Sequence, residues 1–272
     1  MPELPEVEVI VRGLRGDVVG RAFTAVTTNW PRQIVGMPPQ TFADRLVGQR
    51  VKALRRRGKY VVFDLSGDVL LIHLKMTGRL YVADPARDQF EDDHWVRAVF
   101  GLDDDRELRF SDLRKFGRLH LVVREEEVTG ALGPEPLSDA FTPDAFRQLI
   151  AERRGAVKPL LMNQHFIAGI GNIYADEALW QARIDPRRKA GTLKPEDVER
   201  LYHAIRTVLA DGIEHEGASV NWYRKPDGTT GAYQNRFNVY DREGEPCPRC
   251  GSPIHKIRLG QRGTHLCPVC QT

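Results

Sequence analysis

The stretch Gly133-Pro134-Glu135-Pro136 separates two kinds of sequence. Before it, from about Val51, apolar residues come in short β-rich runs broken by turns. Tyr60 to Leu65 and Val69 to Leu74 flank Ser66-Gly67-Asp68, and Trp95 to Leu102 and Glu107 to Phe110 flank Asp103-Asp104-Asp105-Arg106. Short runs joined by tight turns predict antiparallel hairpins, and Leu119 to Val123 adds another strand. The sum is an antiparallel sandwich or flattened barrel. After the Pro-rich stretch the period becomes helical. Thr142-Pro143-Asp144 reads as N-cap, first helical residue and acidic first turn, with Phe146, Leu149 and Ile150 as the buried stripe and Gly155 as the stop. A second helix is expected near Lys158-Pro159. Val198, Leu201, Tyr202, Ile205, Val208, Leu209 and Ile213 form the most regular stripe in the chain.

The fold class expected is therefore α+β and multidomain: an N-terminal antiparallel β-sandwich over residues 1–132, an all-α domain over 133–236, and a C-terminal module over 237–272. The last is defined by cysteines. All four fall in the last 26 residues, as Cys247-Pro-Arg-Cys250 and Cys267-Pro-Val-Cys270, with sixteen residues between the pairs. That spacing matches two knuckles closing one tetrahedral zinc site rather than a disulfide framework. Four thiolates leave no open position, so one structural Zn2+ is expected. The segment between the pairs, with Lys256, Arg258, Gln261 and Arg262, is expected to form a hairpin presenting cations. Zinc ribbons also serve as plain folding or protein-binding modules.

With 272 residues the chain can hold more than one core, and 41% hydrophobic with 28% charged residues describes an ordinary soluble protein. No apolar run approaches the ~20 residues of a membrane span, and no signal-peptide pattern opens the chain, so a cytoplasmic monomer without membrane contact is expected. The net charge is only +3. Its distribution says more: Arg50 to Lys59 holds six basic residues and no acidic one, and Pro246 to Thr272 holds four and none, while acidic residues gather in Glu91-Asp92-Asp93, Asp103-Asp104-Asp105 and Glu125-Glu126-Glu127. One basic run is commonly a solvated face. Two acid-free runs favour a surface that meets phosphates.

The N-terminus, Met1-Pro2-Glu3-Leu4-Pro5-Glu6, carries a chemical possibility. Removal of Met1, usual before a small residue, turns the Pro2 ring nitrogen into a secondary amine. An α-amino group titrates near pH ~7.7 to 8.0 against ~10.4 for lysine, so a useful fraction is nucleophilic at neutral pH. Attack on C1′ of a sugar gives an iminium directly, and Glu3 beside it can shuttle protons. Many proteins begin Met-Pro without any such chemistry, so the dipeptide alone decides nothing. Behind it, Val7, Ile10, Val11, Leu14 and Val18 predict a buried helix, and Glu6 at its start has two roles open: a cap, or a hydrogen bond within a site.

Other motifs point to nucleic acid with varying force. His73-Leu74-Lys75-Met76-Thr77-Gly78 and Asp112-Leu113-Arg114-Lys115-Phe116-Gly117 place Met76 and Phe116 among cations at turns. Core packing is the usual fate of such side chains, but apolar wedges on basic turns are also used to part bases. Gly169-Ile170-Gly171-Asn172 precedes a helical segment, where an Asn can cap the helix and touch a phosphate. The dinucleotide fingerprint fails there, because Tyr174 occupies the position of its third glycine. Gly217 to Gln234, with Trp222, Tyr223 and Tyr233, is a long aromatic loop, functional or partly packed.

Taken in order, these motifs resemble the formamidopyrimidine-DNA glycosylase family from Pro2 to the last cysteine pair. The resemblance rests on the Pro-Glu-Leu-Pro-Glu-Val-Glu opening, Gly58-Lys59-Tyr60, His73-Leu-x-Met76-x-Gly78, Asp112-x-Arg114-Lys115-Phe116-Gly117, Gly133-Pro134-Glu135-Pro136-Leu137, Gly171-Asn172-Ile173-Tyr174 and the four-cysteine tail. It implies a β-sandwich, a helix-two-turn-helix domain and a zinc finger, with DNA in the cleft between domains. It implies Pro2 as Schiff-base nucleophile, Glu3 as proton donor for base release, Lys59 as the acid assisting β-elimination and Arg262 as that assisting δ-elimination. Met76, Arg114 and Phe116 match the trio that fills the void left by a flipped nucleotide. Arg154, Lys158 and Asn172 match phosphate contacts, and His94 matches a DNA contact. The partner implied is double-stranded DNA containing oxidised bases or abasic sites, and the reaction is removal of oxidised purines followed by strand cleavage.

Three positions depart from the family pattern: Asp93-His94 stands where relatives often carry paired histidines, Lys75 replaces a common glycine, and Asn221-Trp222 replaces an Arg-Asp or Lys-Asp pair in the lesion-covering loop. Two rivals are an endonuclease VIII-like glycosylase for oxidised pyrimidines and a zinc-dependent DNA-binding protein without catalysis. Leu4 and the full trio argue against the first, and the presence of every residue assigned a catalytic role argues against the second.

Overall fold

Pro5 and Glu6 open a helix because proline at the start lacks an N–H that would go unbonded anyway and a carboxylate there meets the helix dipole. That helix, α1 (Leu4–Val18), buries Val7, Ile10, Val11, Leu14 and Val18 on one side. A computed structural model describes residues 1–84 and 93–272, so Glu91 and Asp92 of the first acidic cluster lie outside the described residues. After α1 come β1 (Phe23–Thr28), β2 (Ile34–Val35), α2 (Pro39–Leu46), β3 (Val51–Arg57), β4 (Tyr60–Leu65), β5 (Val69–His73), β6 (Gly78–Ala83), β7 (Val96–Leu102), β8 (Glu107–Asp112), β9 (Arg118–Val122) and α3 (Glu126–Thr129). The helical region holds α4 (Pro143–Ala151), α5 (Val157–Leu161), α6 (Asn172–Gln181) and α7 (Pro195–Glu214), and the chain closes with β10 (His255–Leu259) and β11 (Arg262–Leu266).

Two sheets form the β-sandwich. One has the order β1-β7-β8-β6 and the other β2-β9-β5-β4-β3. Both expected hairpins pair antiparallel, Tyr60 with His73 and Phe100 with Leu108. Helix α1 packs on β3 and β4 of one sheet and β6 of the other. Phe23 joins the layers, its ring 6.4 Å from Phe63 of β4 and 5.8 Å from Phe100 of β7. Each such fully buried side chain contributes about 1.5–3 kcal/mol of hydrophobic stabilisation before entropy is counted. Strand β1 is not legible in the sequence: of its six residues only Phe23 is buried, so alternation is lost. Of the helices, α4 starts as expected, with the Thr142 side chain accepting from the Ala145 N–H. Asn172 differs from expectation: Gly171 is the N-cap and Asn172 the first helical residue.

The chain divides into two compact units, residues 1–131 with 216–232, and 132–215 with 233–272. The cysteine module falls in the same compact unit as the helices, and the aromatic loop falls in the β unit, where Tyr223 is buried in the sandwich core. Among the described residues no helix is long and apolar enough to cross a membrane.

Candidate active site and nucleic-acid interface

In the β unit the chain terminus is pinned. Pro2, Glu3 and Glu6 are buried, and Glu6 Oε2 accepts the Glu3 N–H at 2.7 Å. Glu6 Oε1 accepts the Ala218 N–H at 2.8 Å, so this carboxylate caps α1 and also holds the loop. Gly217 lies against it at φ +79°, where a Cβ would come within 3.0 Å of both Glu6 Cγ and the Tyr223 ring. The loop is further tied by the Tyr223 hydroxyl to the Glu216 carbonyl and by the Gly231 N–H to Ser219 Oγ. Tyr223 is an anchor, while Trp222 stands 51% exposed.

Lys59 is buried in the turn between β3 and β4, where Gly58 takes φ 56°. Arg56 links this turn to α1, donating to the Gly58 carbonyl at 3.2 Å and to Glu8 Oε2 at 3.1 Å. His73, at the end of β5, accepts the Lys75 N–H at Nδ1 and meets the Tyr60 ring edge at 4.8 Å. Burial, with the positive charges of Lys75 and Lys59, pushes its imidazole down to about 3.

Met76, Arg114 and Phe116, the trio expected to act as a wedge, come together. The Arg114 guanidinium lies 3.1 Å from Met76 Sδ and 4.7 Å from the Phe116 ring centroid. Met76 and Phe116 remain 43% and 44% exposed, so packing in the core, their common fate, is not theirs. Buried Asp112 builds this platform. Its Oδ1 accepts from the Thr77 hydroxyl and the Arg114 N–H, and its Oδ2 accepts the Gly117 N–H at 2.7 Å. Gly117 has no room for a side chain, since a Cβ would meet the Phe110 ring at 2.3 Å. Lys115 lies 4.5 Å over the Trp30 ring. His94 is exposed beside Asp93, whose carboxylate is held by the Tyr81 and Ser111 hydroxyls and the Trp95 N–H. The hub role of Asp112 and Thr77 has little local signal, a lone Asp and a lone Thr inside two motifs dominated by cations and apolar side chains.

In the helical unit Arg154 is exposed between α4 and α5, and Asn172 Oδ1 is buried with no hydrogen-bond partner among the described residues. Lys158 departs from expectation. Its side chain is 1% exposed and its ammonium sits 2.7 Å from Asp176 Oδ1, so it faces a carboxylate inside the unit. A second buried acid, Glu177, accepts from the N–H groups of Asn238, Val239 and Tyr240 and from the Asn238 amide, gripping the chain where it enters the cysteine module. Burial raises its pKa against those hydrogen bonds.

Strands β10 and β11 join through Gly260 and Gln261, with φ 54° and 63°, the two-residue turn that suits strand twist. Lys256, Arg258 and Arg262 are exposed on this hairpin. The four cysteine sulfurs lie within 4.8 Å of one another, with Cys247 to Cys270 at 4.0 Å and Cys250 to Cys267 at 3.5 Å. Sulfurs at about 2.3 Å from a tetrahedral zinc are ~3.8 Å apart, so the donor set fits one zinc ion. Trp180 Nε1 points at Cys247 Sγ from 3.4 Å, and Arg249 covers the Trp180 ring at 4.0 Å.

Family models match the formamidopyrimidine-DNA glycosylase N-terminal domain over residues 1–119, its H2TH domain over 132–223, and a zinc finger found in FPG and IleRS over 244–272. The chain belongs to the formamidopyrimidine-DNA glycosylase family. The family member from Chloroflexus aurantiacus is 46% identical, with 100% of this chain and 98% of that one aligned. The crystal structure of the Thermus thermophilus MutM (FPG) protein is similar at a TM-score of 0.89 and 42% identity, covering 99% of this chain and 98% of that one. The Lactococcus lactis Fpg in complex with an abasic site containing DNA is similar at a TM-score of 0.90 and 33% identity, covering 99% of each chain. The family's three parts thus coincide with the sandwich, the helices and the cysteine module described above.

Proposed function

We propose that this family member is a bifunctional glycosylase and abasic-site lyase that removes oxidised purines, 8-oxoguanine and formamidopyrimidines, from duplex DNA. The observation that carries the reading is Arg114 touching both Met76 and Phe116 on an exposed turn, since an enzyme acting at C1′ must extrude the nucleotide and fill the gap it leaves. Once Met1 is removed, the Pro2 nitrogen attacks C1′ and the bond to the base breaks, the departing base taking a proton supplied through Glu3. Ring opening leaves an iminium between Pro2 and the sugar. Loss of a C2′ proton then expels the 3′ phosphate, with Lys59 as acid, and a second elimination expels the 5′ phosphate, with Arg262 assisting. Arg154, Asn172 and His94 are proposed DNA contacts. Zinc, when bound by Cys247, Cys250, Cys267 and Cys270, supplies folding energy and no reactive water, because four thiolates saturate it. Trp222, the exposed member of the loop anchored on Glu6, is placed by this reading at the lesion base.

Borohydride trapping on abasic duplex tests it. A covalent adduct is expected with the processed terminus and its loss with Pro2→Gly or with an N-terminal tag. Undiminished trapping with the terminus blocked moves the nucleophile to a lysine and overturns the assignment.

A further inference from the structure

Lys158 poses a question of energetics. An ammonium buried against a carboxylate seldom adds stability over an apolar pair of equal volume, because desolvation offsets the Coulombic gain. What such a group can do is fix geometry. The Lys158 ammonium has three N–H donors, and it stands within bonding distance of three acceptors on two elements: Asp176 Oδ1 on α6 at 2.7 Å, and on β11 the Gly263 carbonyl at 3.0 Å and the Thr264 hydroxyl at 2.7 Å. Asp176 uses its other oxygen on the same hairpin, accepting the His265 N–H at 3.0 Å. The ring of Pro159 lies under the hairpin turn, 3.3 Å from where a Cβ on Gly260 would be. Three successive residues of β11, all directly after Arg262, are therefore held by α5 and α6, and Thr264 lies on the same face of the strand as Arg262. Asp176 is also one turn beyond Asn172 on α6, so one rigid connection joins the proposed phosphate contact to the hairpin tip.

We propose that Lys158, Asp176 and Thr264 form a buried clamp that positions Arg262 for the second elimination, in register with the start of α6. They are positioning residues: none presents its polar group to solvent. The inference deepens the proposed function and rests on the assignment of Arg262 there.

Thr264→Val and Asp176→Asn, each compared with wild type, Thr264→Ser and Arg262→Ala in the zinc-loaded full chain, test the clamp. Amide hydrogen exchange over Arg262 to His265 and the ratio of β- to β,δ-elimination products on abasic duplex are the readouts, with zinc content and borohydride trapping as controls. Both variants are expected to keep one zinc per chain and normal trapping, to speed hairpin exchange about tenfold, and to shift products toward β-elimination in the direction of Arg262→Ala. Thr264→Ser should restore both. Unchanged exchange in both variants overturns the clamp whatever Arg262 does. Faster exchange with a wild-type product ratio, while Arg262→Ala shifts it, overturns the positioning role. An unshifted ratio in Arg262→Ala itself instead refutes the assignment of that residue, and the catalytic part of the inference with it. Should Asp176→Asn fail to fold, Thr264→Val decides alone, since it leaves the ion pair intact.

Discussion

Glu6 binds the backbone N–H of Ala218 at 2.8 Å, across 212 residues of sequence, while its other oxygen holds the Glu3 N–H at 2.7 Å. One carboxylate thus joins the terminus bearing the proposed nucleophile to the loop bearing Trp222. Both contacts need an acceptor, so Glu6→Gln sets an amide donor against one of two buried N–H groups. A loss of about 1–3 kcal/mol of stability is expected, the cost of one unsatisfied buried group. Excision of 8-oxoguanine should fall more than cleavage of an abasic site, which has no base for the loop to hold. Equal losses on both substrates would show the loop to be scaffolding.

Asp112, buried beneath the turn, holds the proposed wedge in place through Thr77, Arg114 and Gly117. Asp112→Asn keeps size but replaces one acceptor oxygen facing the Thr77 hydroxyl or the Gly117 N–H with an amide donor. With the turn loosened, Arg114 no longer meets Met76 and Phe116 together. We expect lesion excision from duplex DNA to drop by about tenfold or more while cleavage of a single-stranded abasic oligonucleotide, which needs no void filled, is nearly retained. A parallel loss on single strands would place the role of Asp112 elsewhere.

His73 sets a pH dependence of stability. The folded protein keeps this imidazole neutral down to about pH 3, whereas its ordinary pKa is 6.5. Between those values the unfolded chain binds the extra proton, so this contribution is fully present above pH 6.5 and is lost as pH falls toward 3. The slope from one such group is at most about 1.4 kcal/mol per pH unit. Denaturant titrations at pH 7.5 and 5 (chosen conditions, roughly either side of the unfolded pKa) should show a smaller difference in His73→Gln than in wild type. An identical difference would mean that His73 takes up its proton in the fold as readily as in the unfolded chain.

Arg262, on the hairpin of the four-cysteine module, is expected to contribute one counterion release on binding DNA. Arg262→Ala should reduce the magnitude of the slope of log K against log salt by about 0.9. Chelation should cost more, because the hairpin has too little core to keep its shape without the metal. A salt titration of both samples on abasic duplex checks this, and an unchanged slope in Arg262→Ala would show that the hairpin does not meet DNA through this residue.

The sequence by itself determined the architecture. Short β-rich runs broken by turns, and the helical stripes of α1, α4 and α7, follow local rules of periodicity and capping, and these helices with the β4–β5 and β7–β8 hairpins are found where those patterns lie. The four cysteines were equally legible, because zinc ligation constrains spacing more tightly than almost any other chemistry. Tertiary structure alone decided the partners of the buried charges. Glu6 and Ala218, Lys158 and Thr264, and Glu177 and Val239 are far apart along the chain, and no local pattern encodes such pairs. It also decided the fate of residues that motif matching treats alike. Lys158 and Arg154 lie four positions apart in a region matched to phosphate contacts, yet one is sealed against Asp176 and the other exposed. The physical reason is that burial depends on what other segments supply as neighbours: the lysine is tolerated inside because α6 provides a counter-charge and β11 two hydrogen-bond acceptors, a fact no single stretch of sequence contains.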